Sequence, residues 1–374
     1  MRASDRWGTY TPETPNAAYL DNGESPYAEQ DENLANEYSA VWNLNQIDLP
    51  SGGSILVDYE ADDYAYVQDK AATRMLKITD LQDENGVNSP TATISDPASG
   101  GSLQVHSLYG DPNGEEYNYL FFDLEEPITQ TVTNADDEFF YETYIEPLGD
   151  YLYFKSLVQL NGDIQAFQDN HLEYIKGYAR LTDPENGQDE AEAGLDANSV
   201  VGGAYTKGWI KVVLEDRQDR KRNNRRSVHP FAKAAWQTAR LEQPQLVYPG
   251  YAPGQVQGLQ QANEVIRGLA GFWRDLLNIF SNENSFMRRK HFAQHVDLDR
   301  SYIRLPDGNR SKNGGGCRVK KIETTDGWDD MTTSQNLPNG QNSAKYGQIY
   351  NYTMAENGAT ISAGVAAYEP LVGG

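Results

Sequence analysis

Apolar and polar residues alternate on both sides of a turn near residue 50. Ile47 lies before the turn, and Ile55, Val57 and Tyr59 lie after it, each with polar neighbours. A period of two residues is typical of strands with one buried face. The turn itself, residues 50–53, has the sequence Pro-Ser-Gly-Gly, which favours a tight connection with positive φ. The pattern over residues 44–60 therefore predicts a β-hairpin.

Further segments with strand character follow along most of the chain. They are rich in aromatic and β-branched residues, and stretches rich in Gly, Pro, Asn and Asp separate them. The predicted strands comprise residues 74–78, 103–109, 117–124, 174–181, 208–214, 318–322, 346–353 and 359–368. An acidic, glycine-rich segment, residues 183–203, is predicted to be a surface loop.

Two helices are predicted between the β-rich parts. The first covers residues 230–241, with Pro230 in its first turn and Pro244 beyond its end. The second covers residues 256–280, where apolar residues recur at three- and four-residue steps. Because this apolar face is too large to leave in water, we predict that it packs on the β body or on a neighbouring subunit. Trp273 and Leu277 are its predicted interaction residues.

The predicted fold class is mainly β, with antiparallel sheets and hairpins and a helical insertion, so α+β overall. The predicted organisation is an extended N-terminal arm over residues 1–38, a β-rich domain over 39–215, a basic turn with the helical insertion over 216–300, and a β-rich return over 301–374. The last residues lack a closing element of secondary structure. We therefore expect the chain to continue in a longer protein.

Composition and charge exclude several classes of partner. The formal net charge of −24 opposes binding to nucleic acid and to anionic membrane surfaces, because attraction to phosphate needs clustered Lys and Arg. No run approaches 18 consecutive apolar residues, so no membrane span is predicted. The one cysteine, Cys317, excludes an internal disulfide framework and a cysteine-rich zinc site.

Two separated stretches carry a recognisable pattern. One is Ile-x-Leu-Pro-x-Gly-Gly at residues 47–53 with Val-x-Tyr-Glu at 57–60. The other is Gly-Gly-Cys-Arg-Val-Lys-Lys-Ile at 315–322 with Tyr-Asn-Tyr-Thr at 350–353. Both resemble the turns and strands of bacterial RHS/YD-repeat-like secreted proteins. The resemblance implies a part of a large β shell or surface assembly, and some members of that family enclose and deliver toxins.

Histidines supply the only candidate ligands for a transition metal. His291 and His295 are four residues apart, which on a helix would place both on one face, and Asp297 could complete a site. The intervening residues lack the Glu of the helical H-E-x-x-H motif. We therefore predict solvated surface histidines and no bound transition metal.

Adjacent acidic residues occur at 62–63, 136–138 and 329–330. Clustered carboxylate oxygens on loops suit calcium, which makes calcium the candidate ion, although no EF-hand loop sequence is present. Neighbouring acids on a strand point to opposite faces, so these pairs do not match the facing carboxyls of a glycosidase. No nucleophile elbow or phosphate-binding loop is present either, and we predict that the chain is not an enzyme.

A basic segment stands out in this acidic chain. Its six cationic residues are predicted interaction residues: Arg217, Arg220, Lys221, Arg222, Arg225 and Arg226. No aromatic residue is interleaved with them, which disfavours a nucleic-acid interface. The segment is predicted to contact an acidic protein surface, with residues 183–203 as one candidate, or to form a solvated turn.

These observations predict a non-enzymatic structural or scaffold segment of a large bacterial secreted or surface assembly of the RHS/YD-like type. Its partners would be proteins of that assembly, and it could form oligomers. The expected location is extracellular, on the cell surface or in a virion. Two other functions fit the sequence: a structural subunit of a bacteriophage virion, and a carbohydrate-binding or carbohydrate-degrading module whose many Tyr and Trp side chains stack on sugar rings.

Overall fold

The computed structural model describes most of the chain, namely residues 4–12, 31–95, 100–109, 116–130, 135–160, 172–215, 217–218, 225–242, 284, 287–288, 292–308, 310–326, 344–356 and 359–370. The helices are α1 (Glu32–Ala40), α2 (Ala135–Phe140, continued by a π-helical turn over Tyr141–Ile145) and α3 (Pro230–Glu242). Strands dominate, so the predicted fold class, mainly β with a helical insertion, is confirmed.

The strands are β1 (Gln46–Asp48), β2 (Ser54–Tyr64), β3 (Tyr66–Val67), β4 (Lys70–Ala71), β5 (Thr73–Gln82), β6 (Thr91–Ser95), β7 (Ser102–Ser107), β8 (Tyr119–Thr129), β9 (Tyr151–Gln159), β10 (Leu172–Arg180), β11 (Ala193–Leu195), β12 (Val200–Val201), β13 (Ala204–Lys211), β14 (Arg217–Gln218), β15 (Arg225–Arg226), β16 (His295–Pro306), β17 (Lys312–Thr325), β18 (Lys345–Ile349), β19 (Thr353–Glu356), β20 (Ala359–Ser362) and β21 (Val365–Ala366). Strands β21 and β3 pair in parallel, and the other strand pairs of the described residues are antiparallel.

The chain divides into two compact units. Unit 1 consists of residues 1–75 and 306–374, and unit 2 consists of residues 76–305. The predicted organisation differs, because it placed residues 39–215 in one domain and 301–374 in another. The physical reason is long-range strand pairing: β2 near the start of the chain pairs with β17 near its end, and this joins both ends of the chain in unit 1.

Unit 1 is built on a four-stranded sheet of order β1-β2-β17-β18. The β2–β17 pair is the longest in it and extends from Ser54 opposite Thr325 to Tyr64 opposite Lys312, with two bulges. Two smaller sheets, β19-β20 and β21-β3-β4, complete the described strands of the unit. The predicted hairpin of residues 44–60 is present as β1 and β2.

The N-terminal region is not wholly extended as predicted, because α1 begins within the predicted arm. Asp31 caps this helix, since its carboxylate accepts a hydrogen bond from the backbone N–H of Leu34 at 3.0 Å. Glu32 lies in the first turn, where a negative charge is favourable. A cap of this kind stabilises a helix even when its apolar periodicity is weak.

Close packing of the backbone, and not positive φ, fixes the role of Gly53 in the hairpin. Gly52 has the left-handed conformation, with φ of 81°, and its N–H donates to the Leu49 carbonyl at 3.0 Å. A Cβ at Gly53 would lie 2.6 Å from the carbonyl oxygen of Thr325 in the neighbouring strand. Glycine is therefore required at 53 because another backbone approaches it.

Replacing Gly53 by Val is expected to lower the free energy of unfolding by about 1–3 kcal/mol, because β2 and β17 must separate to admit the side chain. Chemical unfolding of the full chain measures the change. Ser51→Val is the matched control, since Ser51 is exposed in the same turn. Equal stability of the two variants would contradict this account of the hairpin.

Unit 2 is built on a ten-stranded sheet whose main order is β10-β9-β16-β5-β8-β13-β11. Helix α3 confirms the prediction for residues 230–241, and it packs on β9 and β10. The rings of Phe154 and Phe231 are 4.3 Å apart at this contact. Gly177 lets them approach, because a Cβ there would lie 2.9 Å from Phe154. The core of the unit lies on this side of β9 and β10.

The acidic segment 183–203 is more ordered than the predicted loop. It contains β11 and β12, and both strands pair with β13. Ala193 lies opposite Ile210 in this arrangement, and Leu195 is buried in the core of unit 2. The high content of acidic residues and glycine concealed these short strands. The predicted helix of residues 256–280 lies outside the described residues.

Candidate functional site

One face of the sheet in unit 1 carries apolar side chains without charged ones. Residues directly opposite each other on paired strands share a face. One row across the sheet joins Ile47, Ile55, Thr324 and Tyr346, and the next row joins Val57, Ile322 and Gln348. We call this surface the front face: Ile47, Ile55, Val57, Ile322, Thr324, Tyr346 and Gln348.

The front face is exposed at its two ends and half-buried in its middle. Ile47 and Tyr346, at the two ends of the first row, are 41% and 63% exposed, and Gln348 is exposed too. The four central side chains are half-buried: Ile55, Val57, Ile322 and Thr324. Single exposed apolar residues are ordinary in proteins, whereas several on one face mark a contact surface. Within the part of the chain that the structure describes, the apolar side of this sheet is therefore only partly covered.

The opposite face of the same sheet, the rear face, is charged. The Lys321 ammonium lies 2.7 Å from the Glu323 carboxylate, and Lys345 lies 3.4 Å from it. The hydrogen bond and the charge of Lys321 lower the pKa of Glu323, and Lys345 has a smaller effect in the same direction. The hydrogen bond and the charge of Glu323 raise the pKa of Lys321. Leu56 and Ile349 are exposed among these charges. The rear face resembles an ordinary solvated surface, which sets the front face apart.

Both edges of the sheet are further contact elements. Strands β1 and β18 stand at the two ends of the sheet order, and all their residues are exposed. In the described part of the chain no strand pairs with the outer side of either one. The outer N–H and C=O groups of an edge strand can pair with a strand of another molecule. The front face and the two edges together form the candidate site.

Ion pairs beyond the front face hold β2 and β17 together. The Arg318 guanidinium on β17 lies 2.9 Å from Glu60 and 3.3 Å from Asp62, and it also contacts Asp63. Asp63 further accepts hydrogen bonds from the hydroxyls of Ser311 and Ser362, at 3.0 and 2.8 Å. The acids at 62–63, candidate calcium ligands in the sequence, therefore bind an arginine and two hydroxyls.

A buried lysine fastens the C-terminal segment to the start of β17. Lys312 is fully buried, and its ammonium lies 2.9 Å from the Glu369 carboxylate and contacts the Thr73 carbonyl. Burial lowers the pKa of Lys312 to about 8, although the nearby Glu369 charge acts in the opposite direction. Such a network is costly to form and gives one defined arrangement of these segments.

The predicted metal ligands do not form a helical pair. His295 is the first residue of β16, so helical spacing does not apply to it, and His291 lies outside the described residues. Asp297 is fully buried and lies 3.4 Å from Arg300. Burial raises the pKa of Asp297, and the Arg300 charge opposes the increase. The prediction of a solvated histidine is wrong for His295, since its side chain is buried.

Across the residues that the structure describes, no group of three or more His, Cys, Asp or Glu side chains could hold a metal ion. Acidic residues 136–138 lie on α2, where the Asp137 carboxylate accepts a hydrogen bond from the Leu195 N–H at 3.3 Å. Residues 329–330 lie outside the described part.

The predicted interaction residues of the basic segment are only partly described. Arg217 and Gln218 on β14 pair with Arg226 and Arg225 on β15, so the segment begins and ends as a two-stranded ladder. The side chains of these arginines, and residues 220–222 as a whole, lie outside the described part. Trp273 and Leu277 also lie outside it. The contacts proposed for all of them stay predictions.

A buried titratable side chain in unit 2 has a structural role. His229 immediately precedes α3, is fully buried, and accepts a hydrogen bond at Nδ1 from the Phe231 N–H at 3.2 Å. The backbone N–H of His229 donates a hydrogen bond to the Tyr109 hydroxyl at 3.3 Å. The Arg288 guanidinium lies 4.1 Å from the centre of the Tyr109 ring. Burial lowers the pKa of His229 to about 3, so its imidazole is neutral at pH 7.

Comparison of the chain with protein-family models, with curated proteins and with solved structures gives no match. None of the helices in the described ranges has the length and apolar character that a membrane crossing requires. The candidate site therefore rests on the geometry of this molecule.

Sequence reasoning identified the hairpin but missed the front face. The alternation of Ile47 with Ile55 and Val57 was visible in the sequence and showed which residues share a face. The pairing of this hairpin with residues 312–325 was not visible, because strand patterns do not specify distant partners. Without that pairing, Ile322 and Tyr346 could not be placed beside the hairpin.

Proposed function

We propose that this chain is a non-enzymatic structural segment of a large bacterial surface or secreted assembly, of the kind that the RHS/YD resemblance implies. Its work is to make contacts between β-sheets. The front face packs against the sheet of a neighbouring segment, and β1 and β18 extend the sheet by pairing with strands of that neighbour. The charged rear face remains in solvent.

One observation carries the proposal: residues 47–60 and 315–322, more than 250 residues apart in sequence, lie in one sheet as β1, β2 and β17, and they supply Ile47, Val57 and Ile322 of the front face. Apolar area that is open on one subunit becomes favourable when a partner covers it, at roughly 25 cal/mol per Å². Two exposed edges add main-chain hydrogen bonds to the same contact. A second copy of the chain presents the same surfaces and is therefore a suitable partner in solution.

The proposal predicts that the purified chain associates with itself and that the front face is responsible. Replacing Ile47 and Tyr346 together by Lys is expected to weaken association by at least about tenfold, because burial of each such side chain is worth roughly 1.5–3 kcal/mol. Sedimentation velocity over a range of concentrations measures the association. Thermal melting verifies that the variant is folded.

The matched control replaces Val201 and Leu241 by Lys. These two side chains of unit 2 are also exposed, at 69% and 85%, and the change in charge is the same. Wild-type association should persist in this control. A chain that stays monomeric at every concentration, or equal weakening in both variants, would argue against the front face as a contact surface.

A further inference from the structure

The two edge strands of the unit 1 sheet run in opposite directions. The sheet has four strands in the order β1-β2-β17-β18, and each neighbouring pair is antiparallel. A second copy of this sheet, placed beside the first in the same orientation, therefore brings its β18 next to β1 as an antiparallel neighbour. Strands β1 and β18 of two copies can continue one sheet without either copy turning over.

The backbone groups of Gln46 and Asp48 on β1 point away from the sheet. Along an antiparallel strand, residues that bond to the neighbouring strand alternate with residues whose N–H and C=O groups point outward. The Leu49 N–H donates to the Gly53 carbonyl at 2.8 Å, and the register then assigns Ile47 to the residues that bond inward to β2. Gln46 and Asp48 therefore leave their N–H and C=O groups at the outer edge.

The same alternation orients the backbone of β18. The Tyr350 N–H donates to the Lys320 carbonyl at 3.0 Å, and the register then assigns Tyr346 to the residues that bond inward to β17. Lys345 and Gly347 direct their N–H and C=O groups outward. Both edges of the sheet thus present outward groups at every second residue.

A row of residues that runs straight across this sheet begins at Asp48 on β1 and ends at Lys345 on β18. When the row continues into the next copy, Asp48 of one copy lies opposite Lys345 of the other. Both have outward backbone groups, so they can exchange two main-chain hydrogen bonds, and their side chains carry opposite charges. Their contacts within one copy, Asp48 with the Gln46 amide at 2.7 Å and Lys345 with Glu323 at 3.4 Å, lie at the surface and compete weakly.

The neighbouring rows match as well. The first front-face row places Ile47 opposite Tyr346 of the next copy. Both residues bond inward, so they form the closer kind of antiparallel pair, and their apolar side chains meet on the front face. The third row places Gln46 opposite Gly347, and both have outward groups. A shift of one residue would set outward groups against inward ones and separate these pairs.

Pairing of like edges is less complementary. About a two-fold axis, β1 centred on Ile47 would set Asp48 opposite Gln46, and β18 centred on Gly347 would set Lys345 opposite Ile349. Neither arrangement brings opposite charges together. Each also leaves the other edge of the sheet without a strand of the second copy.

We propose that copies of this chain join head to tail, with β1 of one copy paired to β18 of the next in the register that sets Asp48 opposite Lys345. Each added copy presents a new free edge, so the series continues until it closes into a ring or remains open as a filament. This inference rests on the proposed function, and it specifies the neighbour and the geometry of the edge contact.

Proline blocks one edge at a time. Asp48→Pro and Lys345→Pro each remove an outward N–H, while the bonds to the inner strand remain. Copies of one variant lack a complementary pair of edges, so each variant alone is expected to self-associate at least about tenfold more weakly than the wild type. A 1:1 mixture should recover association, because β18 of the first variant can pair with β1 of the second. Sedimentation velocity measures both effects.

The matched control is a chain with both proline substitutions. Mixed with either single variant, it should give no recovery, because it has no usable edge. Thermal melting of all three variants verifies their fold.

Charge reversal tests the register without proline. Asp48→Lys sets two lysines against each other across the contact, and Lys345→Asp sets two aspartates against each other. Each change should weaken association by about threefold. A chain that carries both reversals should regain the lost association, since opposite charges face each other again. Failure of this rescue overturns the register.

Recovery in the proline mixture, together with rescue by the double charge reversal, supports the head-to-tail contact. A proline variant that self-associates like the wild type identifies pairing of like edges, which overturns this inference and leaves the proposed function standing. Wild-type association in both proline variants assigns the contact to the front face alone and overturns the inference in the same way. A wild-type chain that stays monomeric contradicts the proposed function as well.

Discussion

As the pH falls from 6.5 to 3, His229 by itself is expected to lower the free energy of unfolding of unit 2 by on the order of 3–5 kcal/mol. The imidazole is fully buried before α3, and burial lowers its pKa to about 3 from the ordinary 6.5. Above pH 6.5 the side chain is neutral in both the folded and the unfolded chain, so it costs nothing. As the pH falls, the unfolded chain binds a proton that the folded chain cannot, and unfolding becomes more favourable.

The variant His229→Asn isolates this effect. Asn can accept the hydrogen bond that now goes from the Phe231 N–H to Nδ1, but it does not titrate. Urea unfolding at several pH values between 3 and 7 measures both proteins. The stability difference between wild type and variant should shrink or reverse as the pH falls, while other titrating groups affect both proteins equally. A difference that stays constant with pH would mean that the imidazole is not held neutral.

The second large effect concerns a buried ion pair in unit 1. Arg74 and Asp307 lie 3.2 Å apart, and their side chains are almost wholly buried. Both bind the backbone of Ser311, where Asp307 accepts from the N–H at 3.1 Å and Arg74 donates to the carbonyl at 3.4 Å. Replacing Asp307 by Ala leaves a buried guanidinium opposite an empty space. The expected loss is about 3–5 kcal/mol of unfolding free energy.

The control for this prediction is the double variant Arg74→Met with Asp307→Leu. Because the desolvation cost of an ion pair is comparable to its attraction, replacing both partners by apolar residues is expected to cost less than removing Asp307 alone. Chemical unfolding of the full chain compares the three proteins. A double variant less stable than Asp307→Ala would show that the attraction between the two charges, and not the burial of Arg74 without Asp307, determines stability here.

Local patterns predicted local elements well. The Pro-Ser-Gly-Gly turn and its flanking alternation predicted β1 and β2, and Pro230 with the apolar spacing after it predicted α3. Long-range organisation was not predictable in the same way. The pairing of Val57 with Ile322 depends on which strands meet in three dimensions, and many strands in this chain have compatible patterns. For this reason the predicted domain order differs from the two units.

The candidate site was predictable only in part. Alternation within residues 46–57 and 174–180 indicates which side chains share a face, and both segments follow that rule. Whether a face is covered depends on packing that the sequence does not reveal. Strands with one apolar face normally bury it, so the exposure of Ile47 and Tyr346 is information that only the structure provides.

The central proposal is that molecules contact one another through the front face and the edge strands of its sheet. Hydrogen exchange of the full chain at low and high protein concentration tests this proposal most directly. At high concentration, backbone amides of β1 and β18 should exchange more slowly, because a neighbouring molecule covers and pairs with them. Amides of β9 in the interior of the other sheet should exchange at the same rate at both concentrations. Exchange in β1 and β18 that is independent of concentration, in a chain that does associate, would place the contact elsewhere and contradict the proposed function.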